Sequence, residues 1–163
     1  MAGTERDRLK SRVNRVGEVY ALNHLKAGQA NSQLVAFGCH VSKGGTSDRQ
    51  VVVSAGEIVL AQSVIAVDPV NATSLPSGAS TSAGQFRKVL LELDAEGALS
   101  FVVGDVAASQ AKAPLPDLSP DKIAIAYIEL PASFTVDTTS LTDSMIVNYD
   151  DEGSLIAYFD TAA

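Results

Sequence analysis

The side chains able to do chemistry are few: two histidines, His24 and His40, one cysteine, Cys39, and scattered carboxylates in a chain of 163 residues. Imidazole is the usual general acid–base group near neutral pH, so a chain with two of them has little to build a mechanism upon. Cys39 and His40 are neighbours in an expected strand, where adjacent side chains point to opposite faces, so they cannot grip one metal together. Cys39 with His24 is the one conceivable Cys–His nucleophilic pair, and a buried thiol beside a surface imidazole is the plainer reading. Lys43-Gly44-Gly45-Thr46-Ser47 has the composition of a phosphate cradle in the wrong order, and it reads as a hairpin tip. The Gly-x-Ser-x-Gly elbow and the His-Glu-x-x-His helix are both absent. Asp117, Asp121, Asp137, Asp143, Asp150 and Asp151 could offer oxygen to calcium, yet none follows the calcium-loop spacing, which leaves them to turns and caps. Asn71-Ala72-Thr73 matches the glycosylation triplet, a short pattern with meaning only in a secreted protein. One cysteine makes neither an internal disulfide nor a structural zinc site. No catalytic residue, metal or cofactor is expected.

The elements that would carry these residues are mostly strands. Apolar residues make up 46% of the chain and charged ones 19%, enough apolar surface to fold. That surface comes from Ala, Val, Leu and Ile with no Trp, which favours strands over helices. From Gln33 onward, short apolar runs alternate with Gly, Pro, Ser and Asp clusters. The pattern predicts strands at 33–41, 50–54, 57–67, 86–94, 98–103, 122–130, 145–149 and 154–159. Gly97 supplies the positive φ of a tight reversal, so 86–103 reads as a hairpin with Leu91 and Leu93 on its core face. A second hairpin is expected at residues 150–153. Residues 68–85 and 104–121 read as long loops, the latter because Pro114, Pro116 and Pro120 cannot donate to a ladder. The fold class is mainly β, an antiparallel sandwich or barrel-like domain at 33–163 with an N-terminal helix or arm at 1–32.

That arm is read from Leu9, Val13, Val16, Tyr20 and Asn23, spaced as one face of a helix, with Thr4 as its cap and Gly28 as its stop. Residues 1–26 hold six basic and three acidic residues, a net of +3; the other 137 carry six basic and sixteen acidic, a net of −10. An acidic body repels a phosphate backbone, and basic residues with interleaved aromatics are missing, so nucleic acid is not an expected partner. No apolar run approaches the roughly eighteen residues of a membrane span and no signal-type leader is seen, which predicts a soluble chain made in a cytoplasm. A basic segment on an acidic body suits an acidic partner surface, and the alternatives are a solvated helix face or a helix that covers an open face of the sandwich. Arg8, Leu9, Arg12, Val13, Arg15, Val16 and Tyr20 are therefore the candidate contact residues.

Residues Gly84-Gln85-Phe86-Arg87-Lys88-Val89-Leu90-Leu91-Glu92-Leu93-Asp94, with Gly97 and the strand ending at Gly104, resemble a segment recurrent in phage virion proteins. The Ala-rich stretch from Ala107 to Pro116, the apolar run Ile123 to Pro131, and the phrase Phe134-Thr135 to Leu141 continue that likeness over about residues 50–147. The chain is similar to capsid decoration (cement) proteins and to domains of phage tail appendages. The resemblance implies a structural virion protein that binds the outer capsid surface and stabilises contacts between major capsid subunits, as a homo-oligomer, a trimer by the geometry of capsids. It carries over no catalytic or ligand residue. A tail, neck or baseplate subunit that binds virion proteins or a host glycan is the alternative, and the short length favours decoration. A small hydrolase is the third reading.

Overall fold

The computed structural model describes residues 34–44, 47–60 and 63–149, and these form a mainly β, antiparallel structure. Ten strands follow in order: β1 (Leu34–Gly38), β2 (Val41–Lys43), β3 (Gln50–Val53), β4 (Gly56–Leu60), β5 (Ser63–Val67), β6 (Val70–Ser74), β7 (Arg87–Leu93), β8 (Leu99–Val103), β9 (Ile123–Leu130) and β10 (Ile146–Asn148). They make three sheets, β1-β4-β5, β2-β3-β6 and β10-β9-β7-β8. One hydrophobic core joins all three: Val41, Val51, Val53, Ile58, Leu60 and Val67 from the small sheets meet Val89, Leu91, Leu93, Ile123 and Ile128 from the large one. The expected helix at 5–26, its contact residues Arg8, Leu9, Arg12, Val13, Arg15, Val16 and Tyr20, the hairpin at 150–153 and the strand at 154–159 lie outside the described residues.

The large sheet is built on the 86–103 hairpin. β7 and β8 pair Val89 with Val103, Leu91 with Phe101 and Leu93 with Leu99, so period-two alternation puts all six on the core side. Gly97 closes the turn at φ 77°, while the Asp94 carboxylate accepts from the backbone N–H of Glu96 and Ala98. β7 sits inside the sheet between β8 and β9, and β8 is an edge. In β9 a bulge opposite Leu91–Glu92 resets the phase. Ile123 ahead of it, Ile125 within it, and Ala126, Ile128 and Leu130 after it all face the core. The result is four consecutive buried residues, Ile123 to Ala126, in a strand that one simple alternation cannot describe.

Three expected boundaries change. The run at 57–67 is two strands, β4 and β5, paired from Gly56↔Val67 to Leu60↔Ser63; Ala61-Gln62 carries none of the residues that mark a turn. The loop at 68–85 contains β6, an edge strand on β3. The run at 33–41 breaks at Gly38 and Cys39, both at positive φ (68° and 55°). Only glycine fits at 38, because a Cβ there would lie 2.4 Å from the Ala55 carbonyl oxygen.

The 104–121 segment is a strap. It leaves β8 at Gly104, whose N–H donates to Lys88 O, and Phe86 and Ala107 exchange backbone hydrogen bonds. Leu115 and Leu118 then lie on a second apolar cluster, Leu90, Ala124 and Tyr149 with Val102 and Tyr127, on the face of the large sheet away from the main core. Both faces of β7 are thus buried.

Candidate functional site

Glu92 is the one buried charged side chain among the described residues, at 1% exposure, on the strap-covered face of β7. Its register partners, Ser100 on β8 and Ala124 on β9, leave room for a polar cluster under the strap. Lys122, just before β9, places Nζ 3.4 Å from Glu92 Oε1 and donates to Ser100 Oγ at 2.7 Å. Ser100 Oγ donates to Glu92 Oε1 at 3.2 Å, and the Ser119 N–H of the strap donates to Oε2 at 3.0 Å. Each acceptor oxygen of the buried carboxylate is thereby satisfied, as a buried charge requires.

A serine hydroxyl beside a lysine amine is also the contact of a Ser–Lys nucleophile pair, in which the amine takes up the hydroxyl proton. Here the donors run the other way, from the Lys122 ammonium to Ser100 and from Ser100 to the carboxylate. Chemically the cluster is a clamp that ties β7, β8, β9 and the strap together. Glu92 and Lys122 are the residues that sequence reasoning missed. Their signal was a lone acid within Val89–Leu93 and a lone base at the head of the apolar run from Ile123.

Beside the clamp, the Tyr127 and Tyr149 rings stand 5.7 Å apart, with Lys88 Nζ 5.7 Å from the Tyr127 centroid. Burial raises the Tyr127 phenol above its ordinary value, and the Glu129 carboxylate raises it further.

Cys39 and His40 lie between β1 and β2, outside any strand, which corrects their expected placement; Cys39 is fully buried and His40 exposed. His24 falls outside the described residues. Lys43 ends β2, paired with Val51, and Gly44 to Ser47 belong to the connection between β2 and β3, a paired hairpin, with positions 45 and 46 not described. Asp117, Asp121, Asp137 and Asp143 are exposed, and Asp150 and Asp151 lie outside the described residues. Among the described residues no three His, Cys, Asp or Glu side chains gather as a metal site, and no helix is long and apolar enough to cross a membrane. Asn71 is exposed on β6, with the Thr73 hydroxyl donating to its carbonyl.

The phrase from Phe134 to Leu141 closes the core. Phe134, Val136 and Leu141 are buried, and the Thr135 N–H donates to Thr139 Oγ1 at 3.0 Å. Thr81 stitches this segment to the loop after β6: its Oγ1 donates to Pro131 O at 2.6 Å and accepts from the Phe134 N–H at 3.0 Å. Arg87 donates to Gly78 O and Arg49 to Asp137 O, tying down the same loops. Comparison of the chain with models of protein families, with curated proteins and with solved structures gives no match.

Proposed function

We propose that this chain is a non-enzymatic structural protein of a tailed-phage particle, bound to the outer capsid surface, where it adds contact between major capsid subunits. The observation that carries this reading is how the virion-like phrases are used. Leu91, Leu93, Ile128, Phe134 and Leu141 go into the core and Thr135 and Thr139 into loop stitching, and the most enzyme-like cluster, around Glu92, serves as a clamp. A cement protein acts by rigid shape and interface area, so side chains committed to packing suit it.

The attachment element in this reading is the basic segment at 1–26, matched to an acidic shell surface, with major capsid protein as the partner. Electron microscopy of virions carrying a label on this chain tests the proposal. Label spread over the head supports decoration; label confined to the tail overturns it in favour of an appendage subunit. Removing residues 1–26 then tests the attachment. The truncated chain is expected to keep its cooperative melt and lose the capsid; full-strength decoration by the truncated chain would overturn the arm as attachment element, and loss of folding would place residues 1–26 in the core and move the contact surface to the segments at 42–50 and 68–85.

A further inference from the structure

We propose that strand β5 is a self-assembly edge, through which two copies of the chain pair antiparallel about a twofold axis into one continuous six-stranded sheet. Three open sheets leave six edge strands, and an edge left unpaired is a template for another chain unless something blunts it. Five of the six are blunted. β2 and β10 are held to each other, since the Asn148 side chain accepts from the Val41 N–H at 2.7 Å and donates to Val41 O at 2.9 Å. β6 exposes polar side chains, Asn71 and Ser74, where β5 exposes valine and alanine. β1 is irregular, its register with β4 shifting between Val35 and Phe37. β8 is half-buried at every residue, and at Gly104 it runs into the strap.

β5 has none of these protections. Ser63-Val64-Ile65-Ala66-Val67 contains no charge and no proline, and its pairing with β4 is regular over all five positions. Val64 is 66% exposed, the highest among the large apolar side chains described, and Ala66 is exposed beside it. Leu60 and Ser63 are partners across a two-residue connection, so the alternating ladder turns the backbone groups of Ser63, Ile65 and Val67 toward β4. Those of Val64 and Ala66 turn outward. Among the described residues β5 has no second neighbour.

The occupant is a second copy because this strand is its own complement. Antiparallel pairing centred on Ile65 sets each Val64 against Ala66 of the other copy, large against small, with both outward backbone pairs hydrogen-bonded. In a chain of net charge −7, a contact between copies must avoid placing carboxylates together, and β5 brings none. The contact is short, so pairing depends on concentration. A twofold contact also differs from the threefold arrangement that the family resemblance implies.

Sedimentation of the full-length chain over a range of concentrations tests this, alongside amide exchange by NMR. The expected result is a monomer–dimer equilibrium in which the amides of Val64 and Ala66 become protected as the dimer forms, while those of their neighbours on β5 are protected throughout. Val64→Lys and, separately, Ala66→Lys are expected to remove the dimer and leave the melt cooperative, because both side chains are exposed. A chain that stays monomeric when concentrated, an oligomer that survives both lysines, or protection of the Val64 and Ala66 amides in the monomer, meaning that residues 1–33 or 150–163 cover the edge, would each overturn the proposal.

Discussion

A buried carboxylate is asymmetric in what its removal does. Lys122→Met leaves Glu92 charged beneath the strap without its cation, and a broken buried pair of this kind costs about 3–5 kcal/mol. The lower end applies here, because the Lys122 side chain keeps 28% exposure and water screens the pair from that side. Replacing both partners with apolar residues, Glu92→Leu with Lys122→Met, removes the stranded charge, so the double variant is expected to be more stable than Lys122→Met alone in urea titration. Tyr127 gives a signal at alkaline pH. Its phenol titrates higher in the folded protein than in the unfolded chain, so the folded state holds the proton longer; this contribution is intact below about pH 10 and is lost as pH rises through the folded value. Tyrosinate absorbance should therefore show the Tyr127 phenol ionising late, and stability falling over the same interval. Neither residue's role was legible in sequence. Alternation in Leu91-Glu92-Leu93 assigns Glu92 to the other face but cannot say that a strap 12 to 29 residues downstream covers that face.

Elements were readable where their ends are written in backbone chemistry. Gly97 and the apolar alternation on both sides defined β7 and β8 from sequence, and the core face assigned to Leu91 and Leu93 is the face observed. Leu91 is fully buried in the core that joins the three sheets, so Leu91→Ala is expected to cost about 2–5 kcal/mol; a loss under about 0.5 kcal/mol in denaturant titration would contradict that packing. Where a turn lacks glycine, proline or asparagine, the reading fails: Ala61-Gln62 between β4 and β5 looks like strand because nothing local says otherwise. β6 fails for the opposite reason. Val70-Asn71-Ala72-Thr73-Ser74 has loop composition and becomes a strand only because β3 offers it a ladder. The β9 bulge is a third kind of case, since its Ile125 carbonyl is satisfied by the Tyr149 N–H from a segment 24 residues away.

At the scale of the molecule, the fold class followed from composition and spacing, while the division into three sheets around one core did not. That division depends on which edges meet, and the meeting of β2 with β10 is the plainest example: one asparagine amide stands in for a missing strand neighbour across 107 residues of chain. The same contact sets an order of events in folding. Ordering a loop that long gives up chain entropy before the contact returns anything, whereas the β7–β8 and β4–β5 hairpins close over a few residues. The hairpins should be formed at the rate-limiting step and the Asn148 tie should come after it. Asn148→Ala leaves the Val41 backbone groups without their partner and is expected to destabilise by about 1–3 kcal/mol. In stopped-flow chevrons nearly all of that change should fall on the unfolding arm, with refolding rates almost untouched. Asn148 then acts as a kinetic lock: it holds the finished protein shut for longer without helping it to fold.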